Sequence, residues 1–238
     1  MLVLLSHAHL DHLGDIALID VRVPVVTTPE SAVIARALQV TGQPGFVQEW
    51  CYIAPREPQE NGLLRSKKKV KYLGWPYWLL TMEPMDEELR TWWNTSPAAS
   101  RDLEGPAPEV FVSQEGIPEI RWWPVDHSIP GAAAFAVATE VGWVAYTGDL
   151  RFHGGQGALS RRLMEEWADM EVSVLICEGT RLGDTSKAVG IPVLGQFLPE
   201  EILLGPRSPE TAMYGGCLGC GDQGQGHGIR PPEGMGPL

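Results

Sequence analysis

Three histidines and two aspartates fall within MLVLLSHAHLDHLGD, the first fifteen residues of a 238-residue chain that holds only six histidines. His7, His9, Asp11 and His12 follow the spacing H-x-H-x-D-H. Imidazole nitrogens and carboxylate oxygens are the usual ligands of zinc and similar divalent ions. In an extended segment residues two apart point the same way. His7 and His9 can therefore offer imidazoles to one ion, while Asp11 and His12, turning into the next element, face a second position beside it. The competing reading is a solvated or helix-capping turn, because Asp favours helix starts and His is common at surfaces. Several ligand-type side chains at alternating spacing behind an aliphatic run favour the metal. Further ligands must then come from other strand ends. His127 in VDHSIPG follows one candidate strand, and Asp149 in VAYTGDL closes another, with Thr147 and Gly148 small enough for close backbone approach. A carboxylate that bridges two ions is what such a site would lack without Asp149.

The elements that must position these groups are legible around them. Leu2 to Ser6 reads as a short buried strand, and DIALI after Gly14 as a short helix. VPVVTT (23–28) reads as the next strand, and PESAVIARALQVTG as a helix with Pro29 at its start and Gly42 after its last turn. Strand, loop, helix, strand, helix is the alternation of a layered α/β protein. From about 44 to 108 prolines are frequent, tryptophans cluster, and the pattern is that of an elaborated insertion with one or two helices, MDEELRTWW foremost. EIRWWPVDHS reads as a strand entering a loop, and AFAVAT and WVAYTG as two strands joined by a tight turn at Glu140 to Gly142. SRRLMEEWADM is an amphipathic helix and VSVLICEGT a buried strand. One domain over 1–205 is expected, followed by a Gly/Pro-rich tail over 206–238 that can bury little apolar surface and is expected to be disordered.

Composition narrows the class. A net charge of −12 argues against gripping nucleic acid by general electrostatics, although local basic patches are compatible with it. Four scattered cysteines do not make a secreted disulfide framework, and the apolar run at Leu2 to Leu5 is too short for a signal peptide or a membrane span. A cytoplasmic protein without membrane association is expected.

HAHLDH, HSIP and YTGDLR, in this order, resemble the metal-binding motifs of the metallo-β-lactamase superfamily. HSIP together with CEGTR (177–181) is most similar to its ribonuclease J and β-CASP nuclease branch. The resemblance covers the stretches around 2–30 and 120–182. It implies a four-layer αββα sandwich with the ions in a cleft at one edge of two sheets. It also implies that His7, His9 and His127 bind a first zinc, Asp11 and His12 a second, and that Asp149 bridges them. Glu178 matches the acidic residue of the family's E-[GS]-T motif. The family normally has several strands before the first motif, whereas six residues precede His7 here. The expectation is therefore a sandwich lacking those strands: an incomplete chain, or one whose start lies upstream. An open sheet edge would then call for a second copy or a partner chain. No segment matches the family's downstream histidine for the second ion, and His227 in the tail is not assigned that role.

The implied activity is metal-dependent hydrolysis, with a phosphodiester of RNA or DNA as substrate and a hydroxide held between two ions as nucleophile. Zinc suits the imidazoles, and manganese is the alternative where oxygen ligands predominate. Asp11 would orient the hydroxide and Asp149 hold both ions, which makes them the expected catalytic residues. Glu178 or Ser128 would hold imidazoles in their binding tautomer. The alternatives are a small-molecule ester, thioester or lactone hydrolase of the same superfamily, and an inactive truncated fragment. Among weaker features, SKKKVK (66–71) beside the tryptophans offers phosphate contacts and base stacking, against the plainer reading of a solvated loop and core aromatics. Cys217 and Cys220 have the spacing of half a zinc knuckle without a second pair. Tyr146 and Arg151 flank Asp149, Arg151 either meeting an anionic substrate or lying on the surface.

Overall fold

Residues 1–42, 45–67 and 69–177 are described by the computed structural model. The chain opens with β1 (Val3–Leu4), a single-turn helix α1 (Leu10–Leu13), a 3-10 turn (Gly14–Leu18), β2 (Val25–Thr27) and helix α2 (Pro29–Thr41). Pro29 presets the φ that the first turn of α2 needs, and the Thr28 hydroxyl accepts from Ser31 N at 3.3 Å, satisfying one of the turn's free N–H groups. Gly42 N closes the far end on the Leu38 carbonyl at 2.8 Å. One side of α2 buries Ala32, Ala35 and Arg36.

The stretch read from sequence as an insertion contains six short strands: β3 (Tyr52–Ile53), β4 (Arg56–Pro58), β5 (Leu64–Ser66), β6 (Tyr72–Gly74), β7 (Tyr77–Leu79) and β8 (Leu103–Glu104). Its helix, α3 (Glu87–Asn94), follows β7 and is capped by Asp86, whose carboxylate accepts from Leu89 N at 2.8 Å. This stretch is not all appendage. β7 pairs in parallel with β2, and β9 (Glu109–Val110) pairs with β7, so that the order β1-β2-β7-β9 makes one parallel sheet. Strands of two or three residues carry no readable alternation, and only the long-range pairing reveals them. Trp75 and Trp93 are buried with Trp50 and Tyr77 in the cluster that joins this sheet to α2, and so are core residues rather than a stacking platform. The remaining strands of the stretch form a three-stranded sheet β3-β6-β8 and a hairpin β4-β5.

The second large sheet holds β10 (Ile120–Pro124), β11 (Ala133–Thr139), β12 (Gly142–Tyr146) and β13 (Val172–Ile176) in that order. The first three strands are antiparallel neighbours, with Thr139 opposite Gly142 at the tight turn, and β13 returns parallel to β12 after helix α4 (Gly157–Ala168).

Alternating residues of the strands divide between packing clusters, as the two-residue period of a strand requires. Val25 faces the α2 cluster, whereas Val26 packs with Leu80, Ala133 and Phe135 between the two large sheets. Ala134 and Ala136 face the opposite way, against Leu163, Met164 and Trp167 of α4. The architecture is mixed α/β, with several sheets and few helices. No helix among the described residues is long and apolar enough to cross a membrane.

Candidate metal centre

His7 and His9 lie on the extended stretch that leaves β1, and His9 is still extended (φ −76°, ψ 153°) where it caps α1. Leu5, Ala8 and Leu13, all buried, anchor the stretch so that the intervening histidines project together. The second sheet is tied to the same place: Ala133 N, at the start of β11, donates to the Ser6 carbonyl at 2.9 Å. His127 follows β10. Asp149 lies just past β12, whose pairing with β13 extends one further step through Thr147 N to the Ile176 carbonyl at 3.0 Å.

Gly148 makes this convergence possible. Its φ is +56°, and a Cβ there would lie 2.8 Å from Ser6 Cβ and 3.1 Å from the Ala133 carbonyl oxygen, so the backbone before Asp149 closes against Ser6 and β11 only without a side chain.

Four residues bring one ligand atom each to a common point: His7, His9, His127 and Asp149, with these atoms all within 4.8 Å of one another. His7 Nε2 is 3.0 Å from His9 Nδ1, and His127 Nε2 is 3.1 Å from the same atom. Asp149 Oδ2 lies 3.9 Å from His7 Nε2 and 3.6 Å from His127 Nε2. A tetrahedral ion with bonds of about 2.0–2.1 Å separates its ligands by about 3.3–3.4 Å, which falls inside this range. The other carboxylate oxygen, Asp149 Oδ1, faces away to His12 Nε2 at 3.4 Å, and that nitrogen is 3.7 Å from Asp11 Oδ2. The sequence-predicted set His7, His9, Asp11, His12, His127 and Asp149 is thus brought together, one oxygen of Asp149 toward each of two groups.

The electrostatics suit neutral imidazoles around an ionised carboxylate. His7 is fully buried, and burial, reinforced by the nearby His12 and His127, lowers its pKa from 6.5 to about 3. Burial likewise lowers that of His127, against the opposing pull of Asp149. Asp149 is held below the ordinary carboxylate range chiefly by its hydrogen bond with His12. The imidazoles of His7 and His127, held neutral beside an ionised carboxylate, are donors of the kind that a divalent cation satisfies.

The partner that holds the His7 ring is Ser6, whose Oγ is 3.1 Å from Nδ1; a ring donating Nδ1–H to Ser6 directs the Nε2 lone pair inward. Ser128, expected from sequence in such a role, is exposed, and Glu178 lies outside the described residues. So do Cys217, Cys220, His227 and the tail. Tyr146 contributes its hydroxyl 3.5 Å from His12 Nδ1. Arg151 points to neither solvent nor cleft alone: it bonds the loop that carries His127. Ser6 and Asp126 escaped the sequence reading because serine and aspartate in loops carry no spacing signal of their own.

No protein-family model and no curated protein matches the chain. A solved structure, a protein of unknown function from Enterococcus faecalis V583, aligns with 75% of this chain at 26% identity and a TM-score of 0.42. The chain spans 31% of the length of that protein.

Proposed function

We infer that this chain belongs to a binuclear metal-dependent hydrolase of the metallo-β-lactamase type, with phosphodiesters of RNA or DNA as its substrate. The observation that carries this reading is the convergence of His7, His9, His127 and Asp149, with the second oxygen of Asp149 turned to His12 and Asp11. The order of packing, α2 on the first sheet, the first sheet on the second, and the second on α4, supports the αββα sandwich that the sequence motifs imply. The nuclease branch rests on the resemblance of HSIP and CEGTR.

His7, His9, His127 and Asp149 would hold one zinc; His12, Asp11 and the second Asp149 oxygen, richer in oxygen donors, would hold zinc or manganese. Divalent ions bound there supply a water with a pKa of roughly 7 and positive charge beside an anionic substrate. The chain's own residues set the protonation states. Burial keeps His7 unprotonated, so its Nε2 remains a donor, and the ionised Asp149 offers both oxygens. Asp11, half-exposed beside His12, would also orient the bound water at the open side of the cluster.

The test is metal analysis of the purified chain, then turnover of a labelled RNA oligomer and of a chromogenic ester after loading with zinc or manganese. Stoichiometric metal, RNA cleavage, and loss of both in Asp149→Ala and His9→Ala are the expected results. Absence of stoichiometric zinc or manganese from the unmutated protein overturns the reading. The net charge of −12 favours a small-molecule ester, thioester or lactone as the second reading, and ester turnover without RNA cleavage would select it.

A further inference from the structure

Two ligands of the proposed centre, His127 and Asp149, come from different loops, and the same charged pair ties both loops. Asp126 is 2% exposed and immediately precedes His127; Arg151 comes two residues after Asp149. Arg151 Nε donates to Asp126 Oδ1 at 3.3 Å, and Arg151 Nη2 donates to the His127 carbonyl at 2.5 Å. The backbones are joined as well, Arg151 N donating to the Asp126 carbonyl at 2.9 Å. From behind, Asp126 N donates to Ser160 Oγ in α4 at 3.0 Å, which fixes the loop to the helix. A buried carboxylate needs a compensating cation or hydrogen bonds, and here the guanidinium serves Asp126 Oδ1 while its second nitrogen holds the next residue's carbonyl; Oδ2 is buried without a hydrogen-bond partner.

Gly154 completes the arrangement. A Cβ there would lie 2.0 Å from Asp126 Oδ2, 2.6 Å from Oδ1 and 2.7 Å from Arg151 Nε, so any side chain at 154 would displace the pair. The clasp is therefore built from three positions, none of which offers an atom to the histidine cluster.

We propose that Arg151 and Asp126 are positioning residues: they set the separation of His127 from Asp149, and through it the geometry of the metal centre. The proposal rests on the metal-centre reading above. Lysine at 151 keeps the charge but, with one point-like ammonium in place of a planar fork, cannot serve both the Asp126 carboxylate and the His127 carbonyl. Partners of this kind typically matter about 10- to 100-fold in metal affinity.

The test uses the full chain with Arg151→Ala, Arg151→Lys and Gly154→Ala, each checked by circular dichroism and thermal unfolding in the metal-free state. Two readouts follow: zinc affinity by competition with a chromophoric chelator, and the visible spectrum after cobalt substitution, which reports ligand geometry. Arg151→Ala and Gly154→Ala are expected to lose zinc affinity about 10- to 100-fold and to shift the cobalt bands, with Arg151→Lys between them and the parent. Parent-like affinity and spectrum in Arg151→Ala and Gly154→Ala would overturn the proposal. The histidine ring resonances of the metal-free protein separate the two layers of inference. The His127 ring signals should move in Arg151→Ala, a result that does not depend on metal binding. If the parent binds no metal, the metal-centre reading falls, and unmoved His127 signals would overturn the positioning role independently.

Discussion

At the scale of single residues, the described part of the chain contrasts two kinds of buried polar group. The histidines of the cluster face one another and one carboxylate, whereas Cys51 is fully buried beside Tyr77, its thiol donating to the tyrosine oxygen at 3.5 Å. Burial pushes the Cys51 thiol up to about 12 and the Tyr52 phenol to about 12, and holds the Tyr77 phenol well above its ordinary range. Thiolates are the reactive form, so Cys51 should resist iodoacetamide at pH 8 in the native protein, while the partly exposed Cys177 reacts. Peptide mapping by mass spectrometry checks this, and native-state labelling of Cys51 would contradict it. The sign of the pH effect follows from linkage. Above about pH 9 the unfolded thiol gives up its proton while the folded one keeps it, so the unfolded state binds fewer protons and stability falls between roughly pH 9 and 12. The melting temperature should decline through that window.

At the scale of elements, the loops that deliver His127 and Asp149 depend on close backbone approach. Gly148→Ala forces a side chain into a left-handed conformation and against Ser6 and the Ala133 carbonyl; a loss of about 1–3 kcal/mol in urea unfolding is expected. An unchanged midpoint would mean that the two loops are not in contact as described. Thr28→Ala removes both the cap on Ser31 N and the bond from its hydroxyl to the Gly131 carbonyl at 2.7 Å, for an expected loss of about 1–2 kcal/mol by the same measurement. The elements around the cluster were legible in sequence because each carries a local mark. Pro29 and Gly42 bracket α2, the turn after Thr139 brackets β11 and β12, and Gly157, Ser160, Leu163, Met164 and Trp167 line one face of α4. Residues 44–108 were not legible in the same way. β7 joins the first sheet through three residues, and nothing in YWL distinguishes it locally from the short strands β3 and β6 that pair elsewhere.

At the scale of the whole molecule, the cluster exists because three stretches of chain, leaving the ends of β1, β10 and β12, meet at one point. H-x-H-x-D-H declared its share of the cluster locally, and His127 and Asp149 were expected there from the strand ends that carry them. The clasp between Asp126 and Arg151 was not, since a buried ion pair between loops leaves no periodic trace in sequence. Phe135, 1% exposed between the sheets, should hold the meeting in place. Phe135→Ala is expected to cost about 3–5 kcal/mol and to release bound metal as the sheets part, read by thermal unfolding with a zinc indicator present. The most direct test of the central claim is a crystal structure of the zinc-soaked protein. Zinc should lie about 2.0–2.2 Å from His7 Nε2, His9 Nδ1, His127 Nε2 and an oxygen of Asp149. A soaked crystal in which these four residues bind no zinc, or in which His127 or Asp149 stands out of reach of His7 and His9, would contradict it.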